Sequence, residues 1–189
     1  MENPFFLEGN QVALCPLNSD HIPLYAKWIN IAQVRKYARR TFPTTLDQIK
    51  KDLEQPSSQA PEDVRFEIWY KPENCPVGQC GIHHISWHDL TGTVGLGIGE
   101  PDYWSRGIAS EVGKLLLQYV FTELNLHKIL AYIFSPNVAS QHAAENAGMT
   151  LETTLKEMVF IDGQYFDDFI YSCTREEWLR QNGTKSGEE

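Results

Sequence analysis

Basic side chains are the scarcer charged class in this sequence, which has 16 lysines and arginines against 25 aspartates and glutamates and a net charge of −9 at pH 7. A chain with this charge repels the phosphates of nucleic acids, so we predict no nucleic-acid partner. The same charge suits a cationic partner such as a polyamine or a basic peptide.

Long apolar runs are also missing, because none approaches the ~20 residues that a bilayer-spanning helix needs. The first ten residues are acidic and lack the basic region that begins a secretory signal peptide. We therefore predict a cytoplasmic protein that has no membrane partner.

Cysteine is sparse, with residues only at Cys15, Cys75, Cys80 and Cys173. None of them forms a C-x-x-C pair, and Cys75 and Cys80 have no matching second pair, so the spacing does not favour zinc. We predict no metal site and four reduced thiols, most of them packed in the core.

The chain is long enough for one ample core and too short for two domains of ordinary size. Its patterns predict, in order, a strand, two helices, three strands, a helix, a strand, a helix and two strands. No internal repeat interrupts this order. We predict one domain over residues 1–180, followed by a disordered tail over residues 181–189.

The most informative stretch is residues 93–125, where a strand rich in glycine precedes a long amphipathic helix. Apolar residues and glycines alternate in this strand, so that Val94, Leu96 and Ile98 face one side and Gly95, Gly97 and Gly99 face the other. A face without side chains costs backbone entropy, so we expect another group to lie close against it.

The helix that follows opens with the sequence R-G-I-A-S at residues 106–110. The first amides of a helix have no internal partner and lie at the positive end of its dipole, which favours a phosphate. Gly107 and Ala109 leave room for a pyrophosphate, and Arg106 adds a positive charge. A glycine at a helix start is more often structural, and only the glycine-rich strand before it favours a ligand.

These residues resemble the acetyl-coenzyme A motif of the GNAT superfamily of N-acetyltransferases, Gln/Arg-x-x-Gly-x-Gly/Ala, which here reads W-S-R-G-I-A at residues 104–109. The first position departs from the motif because it is Trp104. A closer likeness is to the ribosomal-protein-alanine and spermidine N-acetyltransferases. The segments that carry it are N-L-H-K-I at residues 125–129, N-x-x-S at 137–140, A-G-M at 147–149 and D-G-Q-Y-F-D-D at 162–168.

The resemblance implies an α/β (α+β) fold of the GNAT type, with a mixed sheet of about seven strands, splayed between strands 4 and 5, and about four helices. It implies that acetyl-coenzyme A lies in that splay, with its pantetheine paired to the fourth strand and a backbone N–H near Gly99 polarising the thioester. The cofactor-binding residues so implied are Gly97, Ile98, Gly99, Trp104, Ser105, Arg106, Gly107, Ile108, Ala109, Ser110 and Asn137.

The implied activity is transfer of an acetyl group to a primary amine through a tetrahedral intermediate. The acceptor is a peptide or protein N-terminus, a polyamine or another small amine. Family members are often dimers, so a homodimer is expected. The alternative is a sensor or structural module that binds acetyl-coenzyme A without transferring the acetyl group.

The departing thiolate needs a proton source, and many relatives use a tyrosine in the helix after the fifth strand. The matching position here is Ala144, so that role is vacant. By likeness to the alanine acetyltransferases we assign it to Ser140, whose alternative role is a capping hydroxyl. Asn137 is likewise either a contact to the pantetheine, a helix cap, or both.

The acceptor ammonium must lose a proton before it can attack. Glu67 and Glu157 are the first two candidates for the base, although the pattern favours Glu67 on an exposed sheet face, paired with Arg65. His83 and His84 rank behind them, and they must face opposite sides of their strand. A chain of water molecules without a single base is an equal alternative.

A basic cluster lies between the two predicted helices and consists of Arg35, Lys36, Arg39 and Arg40. It is either a solvated loop or a part of the acceptor cleft. In the second case it would favour an acceptor that carries an anionic group.

Overall fold

The computed structural model describes residues 5–38, 42–53 and 60–183. In these residues eight strands form one mixed sheet, flanked by six helices. The strands are β1 (Leu7–Glu8), β2 (Val12–Pro16), β3 (Val64–Tyr70), β4 (Cys75–Ser86), β5 (Thr91–Ile98), β6 (Lys128–Phe134), β7 (Thr150–Ile161) and β8 (Gln164–Thr174). The helices are α1 (Ile22–Asn30), α2 (Ala32–Ala38), α3 (Leu46–Leu53), α4 (Ile108–Thr122), α5 (Val138–Ala147) and α6 (Arg175–Asn182).

The strands lie in the order β1-β2-β3-β4-β5-β6-β8-β7, and every neighbouring pair is antiparallel except β5 and β6. This parallel pair is joined only from residues 91–93 to residues 128–130. Beyond Thr93 and Leu130 both strands continue unpaired to each other, which confirms the predicted splay. The predicted strands 4 and 5 are β5 and β6, because the two-residue β1 was not predicted.

Helix α4 forms the main core against one face of the sheet. Its residues Val112, Leu116 and Val120 recur at helical spacing and are fully buried, as the apolar pattern predicts. A second cluster, which includes Tyr25, Trp28 and Ile49 of α1 and α3, covers the opposite face. The two faces of β5 therefore meet different helices.

The segment between the first two predicted helices is not the predicted loop, because it forms α2. Its sequence A-Q-V-R-K-Y-A consists mostly of good helix formers, and the extended backbone of Ile31 separates it from α1. Lys36 of the basic cluster pairs with Asp162 in the turn between β7 and β8, with 2.9 Å between Nζ and Oδ2. Arg39 and Arg40 lie outside the described residues.

The prediction starts the disordered tail at residue 181, which is too early because the last helix includes residues 181 and 182. Helix α6 extends to Asn182, and Gln181 donates from Nε2 to the carbonyl of Gly148 at 3.1 Å. A capping box formed by Thr174 and Glu177 starts this helix. Residues 184–189 lie outside the described part of the chain.

The four cysteines are free thiols, and Cys15, Cys80 and Cys173 are buried as predicted. Burial, with a smaller contribution from the charge of Glu67, raises the pKa of the Cys15 thiol to about 11. None of the helices in the described ranges is both long and apolar enough to cross a membrane.

Candidate active site

Two cavities meet at the glycine-rich strand β5. The first, here called the crevice, has a volume of about 150 Å³ and lies between the unpaired ends of β5 and β6. The second, here called the side cavity, has a volume of about 510 Å³ and lies between the glycine face of β5 and the helices α1 to α3. Gly95 and Leu96 line both cavities. A ligand in one cavity can therefore reach a ligand in the other at this point of the strand.

Small side chains of α4 and α5 keep the crevice open. The close approach of the two helices requires Gly113, where a methyl group would lie 2.8 Å from the Cβ of Ala147. Ala144, at the position where relatives carry a tyrosine, lines the crevice and is nearly buried. The small residues that α4 and α5 present to the crevice are Ala109, Gly113, Ser140, Ala143, Ala144 and Ala147.

The backbone groups that face the crevice are those of Leu96 and Ile98. Hydrogen-bonding direction alternates along an antiparallel strand, and the N–H of Gly99 donates to the carbonyl of Val77 in β4 at 2.8 Å. The N–H groups of Gly97 and Gly99 therefore point toward β4. The backbone groups of Leu96 and Ile98 point away from β4, so a ligand that pairs with this edge of the strand would meet them rather than Gly97 and Gly99. The alternation of the strand is the sequence signal that identifies Leu96.

Trp104 makes a contact of its own at the departing motif position. Its indole Nε1 donates to the carbonyl of Ile98 at 2.9 Å, so this carbonyl is already satisfied. The N–H and C=O of Leu96 and the N–H of Ile98 then have no partner among the described residues at this edge of the strand. The tryptophan fixes the turn between β5 and α4 instead of offering a polar group to a ligand.

The first amides of α4 are available to an anion. Gly107 caps the helix with a φ of +78°, in the left-handed region that favours glycine. Within the described residues, the N–H groups of residues 108–110 have no acceptor, and the first helical bond runs from the N–H of Glu111 to the carbonyl of Gly107. A methyl group at Gly107 would meet only Nε2 of Gln11, at 3.6 Å. This open cradle fits a phosphate.

The side chain of Arg106 is directed elsewhere. Its guanidinium pairs with Glu73 at 3.0 Å and lies over the ring of Tyr103, 4.6 Å from the centroid. The hydrogen bond from the Tyr103 hydroxyl, and to a smaller extent the Arg106 guanidinium, hold the pKa of the Glu73 carboxyl below its ordinary value. The amides of residues 108–110, rather than this charge, form the anion site in this conformation.

Asn137 and Ser140 both line the crevice. The side-chain oxygen of Asn137 accepts from the N–H of Ser140 at 3.2 Å, so Asn137 does cap α5. The Ser140 hydroxyl has no hydrogen-bonding partner among the described residues and is half-buried at the crevice wall. Its predicted role as proton donor is compatible with this position.

Tyr37 of α2 covers the wide end of the crevice. Its ring stacks on Phe134 of β6 and meets Trp104 edge-on, with 6.1 Å between centroids in both cases. The ring thus lies between residues from the two sides of the splay. A long ligand that enters between these two residues would have to displace the ring.

The side cavity lies over the glycine face of β5. Gly97 has no atom within 4 Å of the position that a Cβ would take, whereas Gly99 packs against the ring of Trp28. Helices α1 and α3, with the polar ends of β3 and β4, form the remaining walls. The titratable residues of this lining are Tyr25, Asp52, Asp63, Cys80, Arg65 and His83.

Glu67 is not on an exposed face, which corrects the interpretation that paired it with Arg65. It is fully buried under α1, where its Oε2 accepts from the Tyr25 hydroxyl at 2.6 Å and lies 2.7 Å from Nδ1 of His21. Arg65 instead donates to the backbone carbonyl of Asp52 at 2.7 Å. Glu67 does not line either cavity. The sequence could not predict this burial because the covering residues are 42 and 46 positions away.

Replacing Tyr25 by phenylalanine is expected to destabilise the fold by about 2–3 kcal/mol, because it removes a buried hydrogen bond to a carboxylate. Burial and Glu67 raise the pKa of this hydroxyl far above its ordinary value, so it stays a donor at every accessible pH. Urea unfolding measures the change. Tyr103→Phe is the control, since its hydroxyl bonds to the exposed Glu73. Equal losses in both variants would contradict the structural role of Glu67.

Two of the other three candidate bases face solvent. Glu157 is exposed at a bulge of β7, where its N–H donates to Asp167 at 3.0 Å, and its side chain lines neither cavity. His84 is exposed and has a φ of +51°. His83, in contrast, lies in the side cavity. The structure therefore brings His83, but not Glu157 or His84, to the glycine-rich strand.

The sequence matches the acetyltransferase (GNAT) domain family over residues 11–150. This match covers most of the chain, and the strand order and splay agree with it. The chain belongs to the GNAT acetyltransferase family.

Individual relatives agree with the family. The chain is 30% identical over 117 residues to the uncharacterized N-acetyltransferase YnaD of Bacillus subtilis. The aligned region covers 60% of this chain and 66% of that protein. It is 30% identical over 84 residues to the spermidine N(1)-acetyltransferase of Escherichia coli, covering 44% of this chain and 45% of the relative. The matched region thus spans slightly less than two thirds of YnaD and under half of the E. coli protein.

The fold is also that of solved structures. The spermidine N-acetyltransferase of Vibrio cholerae, crystallised with CoA and spermine, superposes with a TM-score of 0.82 over 90% of this chain and 99% of that chain. The two sequences are 22% identical, so this likeness concerns the fold alone.

Proposed function

We propose that this protein is an acetyl-coenzyme A dependent N-acetyltransferase that acts on a primary amine. The observation that carries the proposal is the meeting of two cavities at Gly95 and Leu96. A reaction between two substrates needs such a junction, because the reacting atoms must approach to about 3–3.5 Å. A single binding pocket would not need a second cavity opening onto the same two residues.

The crevice and the start of α4 fit the cofactor. The cradle at Gly107 and the free amides of residues 108–110 suit a pyrophosphate, and the unpaired edge at Leu96 suits the amide groups of a pantetheine. Trp104, Ser105 and Arg106 shape the turn that precedes this cradle. Acetyl-coenzyme A, when bound, supplies an acetyl group on a thioester that an amine nitrogen can attack.

The chain itself supplies the polar groups that the transfer needs. The N–H of Leu96 points into the crevice beside the junction, where it can stabilise the charge that develops on the acetyl oxygen. Ser140 can protonate the departing thiolate from the opposite wall. Asn137, which fixes the first turn of α5, also leaves its side-chain NH₂ for the pantetheine arm.

The side cavity is the proposed site of the acceptor amine. Carboxylates at Asp52 and Asp63 line it, together with the rings of Tyr25 and Trp28, and the chain has a net charge of −9. These features favour a cationic acceptor with an aliphatic stem. The E. coli relative acts on spermidine by its name, which supports including polyamines among the candidates. A single domain over residues 1–180, a homodimer and a cytoplasmic location remain predictions.

A panel of amines tests the proposal. Release of free thiol from acetyl-coenzyme A is measured with spermidine, spermine, glucosamine, ethylamine and a peptide that begins with alanine. We expect turnover with at least one amine, and mass spectrometry should find one added acetyl group on its nitrogen. A thermal shift with acetyl-coenzyme A but no thiol release with any amine would support a sensor or structural module instead.

A further inference from the structure

We propose that His83 accepts the proton of the incoming amine and that Asp63 holds its ring for this task. This assignment rests on the proposed acetyl transfer and names a residue that neither the motif nor the family resemblance selects. It follows from where His83 lies in the sheet, from what its ring touches and from what the other candidate bases do.

His83 lies at the closed end of the splay. It is opposite Thr93 in the β4–β5 ladder, and Thr93 is opposite Leu130 in the last pair that joins β5 to β6. The three residues therefore form a row across the sheet at the point where the crevice begins. Side chains that are directly opposite share a face, so the His83 ring is on the same face as Gly95.

The ring covers Gly95 itself. A methyl group at Gly95 would lie 3.3 Å from Cδ2 and 3.5 Å from Nε2 of His83. Gly95 lines both cavities, so Nε2 lies where an amine in the side cavity would meet a thioester in the crevice. The absence of a side chain at Gly95 lets the ring lie close over the strand, where a methyl group would press against its edge.

Asp63 fixes the ring and its tautomer. Nδ1 of His83 lies 3.2 Å from Oδ1 of Asp63, and the same oxygen accepts the backbone N–H of His84 at 3.2 Å. A carboxylate at Nδ1 keeps the proton on that nitrogen and leaves the lone pair on Nε2. About a third of the His83 side chain is exposed, so a proton on it can pass to solvent.

The charged groups around the ring agree with this role. Asp63 from the segment before β3, Asp52 from the end of α3 and Arg65 from β3 line the same cavity as the ring. The guanidinium of Arg65 donates to the backbone carbonyl of Asp52 at 2.7 Å. Glu67 is committed to Tyr25 and His21 beneath α1 and does not reach either cavity wall.

The proposed step balances as follows. The ammonium nitrogen of the acceptor gives one proton to Nε2 of His83 and becomes a nucleophile with a free electron pair. It then forms its bond to the acetyl carbon while the carbon–sulfur bond breaks. The departing sulfur takes a proton from the Ser140 hydroxyl, which regains one from the second proton that the nitrogen loses. His83 releases the proton it took to solvent, so the products are an amide, a free thiol and one proton.

The test compares His83→Asn with His84→Asn, which changes the neighbouring residue on the exposed side. Asparagine is used at both positions because it tolerates the positive φ of His84. Each variant is assayed with two amines of nearly equal shape: ethylamine, which is protonated at neutral pH, and trifluoroethylamine, which is already neutral there. The fastest amine of the panel is assayed in parallel, and Asp63→Asn is added as the positioning variant.

We expect His83→Asn to lower kcat with ethylamine and with the fastest amine about 100-fold. With trifluoroethylamine the loss should be less than about 3-fold, because that nitrogen needs no base. Asp63→Asn should show the same dependence on the amine with a smaller loss. His84→Asn should leave kcat unchanged with every amine. None of the variants should change the KM for acetyl-coenzyme A.

A loss that is equal for both small amines would overturn the proposal, because it would indicate a role in shaping the cavity. Full activity of His83→Asn would also overturn the proposal. If the wild-type protein acetylates no amine at all, it is the proposed function that fails, so the two failures are distinguishable.

Discussion

Gly107→Glu is expected to abolish the rise in melting temperature that acetyl-coenzyme A gives the wild-type protein. The new carboxylate would stand at the free amides of residues 108–110, where it would occupy the anion site and repel a pyrophosphate. A ligand present at about 100 times its Kd stabilises a protein by about 2.7 kcal/mol. For a chain of this size that corresponds to about 5–11 °C, and differential scanning fluorimetry measures the difference.

Two control variants separate charge from strain. Gly107→Asn keeps a residue that tolerates the positive φ and adds no charge, so it should retain most of the shift. Gln118→Glu adds the same charge on the exposed side of α4, almost three turns from the start of the helix, and should retain all of it. A full shift in Gly107→Glu would contradict the placement of the pyrophosphate. Loss of the shift in Gln118→Glu would indicate that the added net charge, and not its position at the helix start, weakens cofactor binding.

Local signals in the sequence predicted most of the fold. Asp162 and Gly163 both adopt positive φ and join β7 to β8, as the D-G pair predicts. Gly148 ends α5 in the left-handed conformation, and Asn137 begins it. These predictions succeeded because each depends on residues within a few positions of each other. Helix α2 was not predicted, because the basic cluster suggested a loop although most residues of this segment favour a helix.

The open helix start at residues 108–110 was predictable for the same reason. The strand β5 and the start of α4 are adjacent in sequence, so the motif placed the amides of residues 108–110 correctly at a helix start. The register of β5 against β4 was not predicted, and it decides which of its residues face the crevice. The sequence therefore did not show that the backbone of Leu96, rather than that of Gly97 or Gly99, faces the crevice.

The side cavity was not predictable, because it is assembled from distant parts of the chain. Asp63 reaches His83 across 20 positions, and Glu67 is covered by α1 rather than by its neighbours. A single sequence gives alternation within a strand but not which helix packs on each face. The sequence therefore could not show that Glu67 is buried beneath α1 or that His83 lines the side cavity.

The glycines of β5 have different reasons to be glycine, and matched substitutions should separate them. Gly99→Ala is expected to cost about 3 kcal/mol, which lowers the melting temperature by about 6–12 °C. Its methyl group would lie 2.2 Å from Cγ of Trp28, whose indole is held by a 2.8 Å hydrogen bond to Glu100 and cannot easily retreat. Gly97→Ala should change stability by less than about 0.5 kcal/mol, because its methyl group enters open space. Thermal and urea unfolding of both variants measure these differences.

For activity we expect the opposite order, so that a substitution at Gly97 has the larger effect. Gly97→Val places a larger side chain in the side cavity beside the junction, so we expect kcat/KM for the amine to fall about 10-fold or more. The thermal shift with acetyl-coenzyme A should persist, since the crevice lies on the other side of the strand. Loss of that shift in Gly97→Val would mean that the cofactor, and not the acceptor, lies against the glycine face. An unchanged kcat/KM would remove the acceptor from this cavity, because a ligand that reacts at Gly95 cannot avoid a side chain two residues along the same face.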